Sequence, residues 1–230
     1  MKKKLCSFVS TLLIIALLSP IVAIATDYQE PALPGDVSVD DWFSPHVIYG
    51  IRYGLIHGVS KGHFLFEPNR TVTRAEFITM LGRLHEYGNE TIGTPDEGLF
   101  YERYLNWAVE MGIIHGNENG DLMPYTYLNR EQMAVIIYRY IELFDLLWYF
   151  RYSPPVVGIP FQCLGISAWA GIAIEQLRGL NLVFGRGYFY PQINVSRAEA
   201  LAMLNRVASA VYDSIHPLPL PHPTNATNGN

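Results

Sequence analysis

The feature that most constrains this chain is a motif arrangement that occurs three times. Each copy contains an aromatic residue, a glycine-rich step, a proline and a polar tetrapeptide whose second residue is arginine. The tetrapeptides are Thr73-Arg74-Ala75-Glu76, Asn129-Arg130-Glu131-Gln132 and Ser196-Arg197-Ala198-Glu199. The arginine always lies six residues after the proline, whereas the preceding step from glycine to proline shortens from ten to eight to six residues. A fixed frame around a variable loop indicates a structural repeat.

Each copy is predicted to fold as helix, loop and helix. Apolar residues recur at helical spacing over 42–54, 99–111 and 168–180, and again over 74–87, 130–148 and 197–212. One copy of roughly 50 residues buries little apolar surface alone, so the three are expected to share a core. The pattern therefore predicts a mainly α fold with three helix-loop-helix repeats in a pseudo-threefold arrangement. One helix of each repeat would enter a central bundle, and short β-like pieces around 64–66 and 188–190 would pair locally.

The first 25 residues predict export. Three lysines at 2–4 precede an apolar run over 5–24, and Ala23 and Ala25 form a small-x-small cleavage site. We expect a signal peptide over 1–25, with a retained membrane anchor as the alternative. Cleavage would change the formal charge from −5 to −8 and leave Cys163 as the only thiol. The repeats are expected at 35–90, 94–148 and 161–213, with an aromatic and proline-rich linker over 149–160 and a disordered tail over 216–230.

The composition excludes several classes of protein. Half of the residues are apolar and only 16% are charged, which is typical of a folded chain and not of a disordered one. A net charge of −5 argues against a dedicated nucleic-acid-binding protein, because such proteins must neutralise phosphates. Two cysteines are too few for a disulfide framework or for a zinc site with several thiolates.

The tetrapeptides have both a structural and a functional interpretation. Thr73 with Glu76, and the corresponding pairs in the other copies, fit capping boxes that begin a helix. Capping does not explain the arginine, since a cation at the first helical position opposes the helix dipole. An arginine beside a helix N-terminus with free N–H groups would form an anion site. A single such arginine is ordinarily a solvated surface charge, but its recurrence in three copies favours the anion site.

These motifs resemble the S-layer homology (SLH) domain family. The tetrapeptide, the aromatic opening, the Gly-Leu-Ile-x-Gly step and the proline occur in the family's order over about residues 35–213. The resemblance implies a secreted bacterial module at the cell wall that binds secondary cell-wall polysaccharide, often pyruvylated, in grooves between repeats. It also implies the glycan-binding residues. They are Arg74, Arg130, Arg197, Trp42, Trp169, Asp36, Gly58, Gly116 and Gly185. For the tryptophans, core packing is an equally good interpretation, and for the glycines a plain turn is the better one.

The chain also departs from the family pattern. Phe100 replaces the tryptophan in the second copy, and Cys163 stands in the third copy where the first has Asp36. The three grooves are therefore expected to be unequal. The family's repeats are usually joined to an effector region, and none is recognisable here, so we expect a stand-alone anchor or an anchor whose partner is a separate chain.

Other functions fit the sequence less well. Residues 58–62 match Gly-x-Ser-x-Gly, but that motif needs a strand before it and a helix directly after it. No catalytic residue and no cofactor is predicted. His57 and His115 occupy equivalent places, where a local turn is favoured over a metal site. The aromatic segment 147–150 leaves open a surface protein–protein interaction or membrane-associated module whose glycan grooves have degenerated.

Overall fold

A computed structural model describes residues 31–57, 64–87, 89, 91–93, 98–147, 162–163, 165–180, 182–183 and 188–215. The predicted signal peptide, linker and tail lie outside these residues. Six helices occur in the described part, which makes the fold mainly α, as predicted. They are α1 (Ser44–Arg52), α2 (Arg74–Glu86), α3 (Glu102–Glu110), α4 (Arg130–Leu143), α5 (Gly171–Gly179) and α6 (Arg197–Ile215). None of the described helices is long and apolar enough to cross a membrane.

The second helix of every copy begins with the predicted capping box. In α2 the Thr73 hydroxyl accepts a hydrogen bond from the Glu76 N–H (3.3 Å), and the Glu76 carboxylate accepts one from the Thr73 N–H (2.9 Å). The same reciprocal pair occurs between Asn129 and Gln132 and between Ser196 and Glu199. Each pair satisfies N–H groups that the first turn of a helix leaves without an intrahelical acceptor. The three motifs therefore fix where α2, α4 and α6 begin.

The fourth helix, α4, is shorter than predicted. Its end is determined by an aspartate, Asp145, whose backbone adopts a left-handed conformation. The prediction extended this helix to 148, but α4 ends at Leu143. Asp145 has a positive φ of 52°, and the Leu146 N–H donates to the Ile141 carbonyl at 2.9 Å. This is a Schellman-type ending, which glycine usually makes, so the aspartate concealed it in the sequence.

A closed ring of backbone hydrogen bonds joins the three copies at the start of their second helices. The Val72 N–H donates to the Val195 carbonyl (2.9 Å), the Val195 N–H to the Leu128 carbonyl (2.8 Å), and the Leu128 N–H to the Val72 carbonyl (3.0 Å). These three residues each lie two positions before a motif arginine. The ring therefore has the pseudo-threefold order that the repeat predicts, and it brings the starts of α2, α4 and α6 together.

The helices pair between copies. Each first helix packs against the second helix of the preceding copy, so that α3 packs on α2 and α5 packs on α4. The first helix of the chain, α1, packs on the last, α6, and thereby closes the ring. The helices that pack together therefore come from different copies of the sequence repeat. One continuous hydrophobic core runs through all three copies.

Size complementarity distinguishes these helix pairs. The ring of Tyr104 on α3 lies against α2 at Gly82, where a Cβ atom would come within 2.2 Å of the tyrosine ring. At the equivalent place between α1 and α6, the Nδ1 atom of His46 lies 2.8 Å from the amide nitrogen of Asn205. Gly82 and Asn205 hold the same position in their helices, as do Tyr104 and His46. The contact at this place therefore differs between the α2–α3 pair and the α1–α6 pair.

The predicted β-like pieces are only partly correct. Residues 64–66 form no strand. Tyr188–Phe189 does form one, but its partner is Gln162–Cys163, in parallel, with Gln162 opposite Tyr188 and Cys163 opposite Phe189. Both strands belong to the third copy, whereas 64–66 belongs to the first and is held instead by contacts with residues 35–36.

Candidate functional site

Two grooves lie where the copies meet, and each is assembled from all three copies. The first, which we call the Trp42 groove, has a volume of about 530 Å³. It combines Trp42 of the first copy, Arg130 of the second, and Leu182, Glu199 and Arg206 of the third. Its size is typical of small-ligand pockets.

The second groove, which we call the Phe100 groove, repeats this arrangement one copy further round the ring. It has a volume of about 580 Å³. Phe100 comes from the second copy and Arg197 from the third, while Leu55, Glu76 and Arg83 come from the first. Every one of these residues is equivalent in the repeat to a residue of the Trp42 groove. The two grooves are therefore variants of one design and are not independent pockets.

The ring places Arg130 and Arg197 in grooves that they share with residues of the other copies, whereas Arg74 lines neither groove. The Arg130 N–H donates to the Ile193 carbonyl (3.0 Å), and the Arg197 N–H donates to the Arg70 carbonyl (2.9 Å). The next N–H groups along α4 and α6 donate to the Pro191 and Pro68 carbonyls. The expected free N–H groups at these helix starts are therefore absent, and that part of the anion-site argument is wrong. Only the guanidinium remains to bind a ligand.

The three motif guanidiniums have different surroundings. Arg197 is only 6% exposed, and its Nε donates to the Phe66 carbonyl at 2.8 Å. Burial lowers the pKa of Arg197, and the nearby charge of Arg70 lowers it further. Arg130 is more accessible, and its Nη1 lies 4.0 Å from a Glu199 oxygen. The Nη2 of Arg74 donates to the His115 carbonyl at 3.1 Å.

The aromatic residues at the openings of the copies are surface residues. Trp42, Phe100 and Trp169 are 60%, 60% and 57% exposed. This excludes core packing as their role, because each leaves more than half of its surface in solvent. Trp42 shares a groove with Arg130 and not with Arg74 of its own copy. The sequence identified both residue types but not the pairing, which depends on the order of the ring.

Asp36 supports a loop and lines neither groove. Its two carboxylate oxygens accept the N–H groups of Phe66 (2.8 Å) and Glu67 (2.7 Å). Glu67 has a positive φ of 55°, a conformation that non-glycine residues adopt rarely. Since the Phe66 carbonyl accepts from Arg197, Asp36 fixes the partner of that arginine.

Of the three predicted glycines, only Gly116 lies among the described residues, and it forms part of a turn. A Cβ atom at Gly116 would lie 2.6 Å from the backbone of Gly120, so the turn that contains both requires a glycine there. Gly58 and Gly185 lie outside the described residues, as does the whole Gly-x-Ser-x-Gly segment over 58–62.

A second series of arginines was missed by the sequence analysis, and two of its three members line the grooves. Arg83, Arg139 and Arg206 each follow the motif arginine of their copy by nine residues. Arg83 and Arg206 line the Phe100 and Trp42 grooves. Arg83 also donates to the Leu55 carbonyl at 3.3 Å, as Arg139 does to the Ile113 carbonyl at 3.4 Å. The threefold recurrence at constant spacing was the signal that could have identified them.

Carboxylates offset the positive charge of the Phe100 groove. Arg70 lines this groove, and its guanidinium pairs with Glu76 (2.6 Å) and Glu67 (2.9 Å). Burial by itself raises the pKa of Glu76, but the bonds from Arg70 and the Thr73 N–H outweigh it and hold that pKa below its ordinary value. The position of Arg70 is occupied by Ile193 in the third copy, so the Trp42 groove has no equivalent of this ion-pair cluster.

The second copy has a buried carboxylate where the other copies have alanine. Glu131 is 2% exposed, and its oxygens accept from the Ser167 N–H (3.0 Å), the Ser167 hydroxyl (2.8 Å) and the Gln192 amide (2.7 Å). Three donors compensate for the loss of hydration. Ser167 stands two residues before Trp169, so Glu131 anchors the segment that presents this third aromatic.

The two histidines that could suggest a metal ion lie beside arginines. The His115 Nδ1 is 3.1 Å from Nη1 of Arg139. Burial lowers the pKa of His57, and the charge of Arg83 lowers it further. Among the described residues, no three His, Cys, Asp or Glu side chains converge as metal ligands would.

Comparison with known families gives three matches in one chain. The profile of the S-layer homology domain family matches residues 36–78, 96–134 and 165–201. Together these segments cover slightly more than half of the chain and include every motif arginine and every opening aromatic.

Several characterised proteins contain a similar region. Cell surface glycoprotein 1 of Acetivibrio thermocellus is 28% identical over 78% of this chain, which corresponds to 8% of that protein. An endoglucanase of a Bacillus species is 28% identical over 92% of this chain and 23% of its own length. A cellulosome-anchoring protein of Acetivibrio thermocellus is 26% identical over 62% of this chain and 33% of its own length. The chain thus spans a third or less of each of these relatives.

Proposed function

The chain belongs to the S-layer homology domain family, and we propose that it is a non-catalytic anchor that binds acidic secondary cell-wall polysaccharide in the grooves between its copies. Family membership and the cell-surface relatives make it a cell-surface anchoring module. The endoglucanase relative resembles this chain over only 23% of its length. The shared region is therefore the anchoring module, and catalysis belongs to the remainder of such proteins.

The main support for this proposal is that Arg130 and Trp42 line the same groove. A guanidinium forms paired, charge-assisted hydrogen bonds with a carboxylate. An exposed indole offers an apolar face to a sugar ring or a methyl group. A pyruvate ketal on a sugar presents both features, because it has one carboxylate and one methyl group. The Trp42 groove matches this unit in charge, in apolar surface and in size.

Two grooves on one module allow a polymer to bind at two points. The Phe100 groove has the same plan, with Arg197 beside an exposed phenyl ring. When one unit of a repeating polymer is bound, the effective concentration of the next unit at the second groove becomes high. Weak binding at each groove then gives firm attachment to the wall.

A pull-down of the purified protein on cell walls from its own source tests the proposal. Walls would be used intact, without the secondary polymer, and after mild acid removal of ketal pyruvate. We expect binding to the intact walls alone. Binding that survives loss of the polymer would overturn the proposal, as would no binding to intact walls. The latter result would favour a protein partner.

The variant Arg130→Ala tests the role assigned to the motif arginine. We expect affinity for intact walls to fall by about 10-fold or more, because a charge-assisted hydrogen bond contributes about 1.5–3 kcal/mol. Arg178→Ala is the matched control, since Arg178 lies on α5 outside both grooves and pairs only with Glu175 among the described residues. Circular dichroism should be the same for both variants. Equal wall binding by the two would contradict the role of Arg130.

A further inference from the structure

The Trp42 groove is lined by a second arginine, Arg206, whose role the family motif does not explain. Arg206 lies on the same α6 face as Glu199 and Met203, which also line the groove. Arg130 reaches the same cavity from the second copy. The described lining of the cavity therefore includes two arginines from two different copies and one carboxylate residue, Glu199.

Arg206 lies near His46 on α1. Burial lowers the pKa of His46, and the charge of Arg206 lowers it further, to about 4. His46 is therefore neutral at neutral pH and is held by Asn205, the residue before Arg206. Trp42 lies four residues before His46, ahead of the start of α1, with its ring centroid 6.3 Å from that of His46. Trp42 and Arg206 both line the groove.

We infer that Arg206 is a second anion-binding residue of the Trp42 groove, so that an acidic group on the ligand is held between Arg206 and Arg130. This inference rests on the proposed function and specifies what the groove selects. One guanidinium already favours a carboxylate over a neutral ester, and a second guanidinium in the same groove increases that preference. The groove thereby distinguishes acidic sugars from neutral ones of the same shape.

Arg83 provides the comparison within the same chain. It holds the equivalent position in the Phe100 groove, which is lined by two carboxylates, those of Glu67 and Glu76. Both would repel an acidic ligand, whereas Glu199 is the one carboxylate among the described lining residues of the Trp42 groove. We expect selection for an anion to be strongest in the Trp42 groove.

The test measures binding of two defined probes by calorimetry with the full chain. One is a methyl hexosaminide that carries a pyruvate ketal, and the other is its neutral methyl ester. We expect the wild type to prefer the acid. Arg206→Gln should lower the affinity for the acid by about 10-fold to 100-fold and leave that for the ester nearly unchanged. Arg206→Lys should restore part of the preference, because it keeps the charge and loses the planar fork.

The outcomes separate this inference from the proposed function. If Arg206→Gln lowers the affinities for acid and ester equally, Arg206 is structural and the inference is wrong. If Arg206→Gln keeps the full preference for the acid and Arg130→Ala loses it, the inference is also wrong while the proposed function stands. If the wild type binds neither wall nor probe, the proposed function itself fails. Arg83→Gln, the matched control, should reduce the preference less than Arg206→Gln does, and an equal or larger reduction would overturn the assignment to the Trp42 groove.

Discussion

Replacement of Gly82 by alanine tests the pairing of helices between copies. In an isolated helix this change is favourable by about 1 kcal/mol, since alanine is the better helix former. In the folded protein the added Cβ would lie 2.2 Å from one ring carbon of Tyr104 and 2.9 Å from another. Contacts this short do not occur between carbon atoms, so the tyrosine or the helix must move.

The tyrosine cannot move without loss of other contacts. Tyr104 is buried, and its hydroxyl donates to the Glu86 carboxylate at 2.9 Å. Arg103 also contacts both of these groups. Overpacking of a core costs about 1–3 kcal/mol, and loss of the bond to a charged partner adds about 1.5–3 kcal/mol. We therefore expect Gly82→Ala to lower the free energy of unfolding by about 2–4 kcal/mol after the gain in helix propensity.

Urea unfolding followed by circular dichroism measures this change. Gly179→Ala on α5 is the matched control, because Gly179 is exposed and a Cβ there would meet nothing within 4 Å. It should be neutral or slightly stabilising. Tyr104→Ala in the Gly82→Ala background should remove the clash, so that Gly82→Ala becomes harmless there. A Gly82→Ala protein as stable as the wild type would refute the packing of α3 on α2.

Two further predictions concern stability. Glu76→Ala should cost about 0.5–2 kcal/mol in urea unfolding, because it removes the acceptor of the Thr73 N–H and the partner of Arg70; an unchanged midpoint would contradict the capping argument. The pKa of His46 is lowered to about 4, so the folded state resists the proton that the unfolded state binds near pH 6.5. The contribution of His46 to the free energy of unfolding is therefore fully present above pH 6.5. It decreases as the pH falls from 6.5 to 4, and the total loss is at most about 3 kcal/mol. Urea unfolding of His46→Gln at pH 7 and at pH 4.5 should show a smaller loss than the wild type, and parallel losses would contradict the prediction.

The repeat and its capping boxes could be predicted because they are local. A threonine, asparagine or serine three residues before Glu or Gln specifies a helix start through bonds within one turn. The helices occur where the apolar spacing predicts them, within a few residues at each end. The exception is the end of α4, where Asp145 adopts the conformation that glycine usually provides.

The composition of the grooves could not be predicted from one copy. The motif arginine, the aromatic and the second arginine of the Trp42 groove come from three different copies. Their meeting depends on the ring in which Val72, Leu128 and Val195 are hydrogen-bonded. Long-range pairing of this kind leaves no periodicity within a single copy.

The sequence by itself thus determined the repeat, the mainly α fold, the helix starts and the residue types of the site, since all of these arise from short-range chemistry that recurs. Only the tertiary structure decided that α1 packs on α6, that Trp42 pairs with Arg130, and that the helix N–H groups serve the neighbouring copy. The physical reason is that each copy depends on its neighbours. They provide the acceptors for the N–H groups at its helix starts, and they cover its apolar helix faces. The site therefore exists only where the three copies meet.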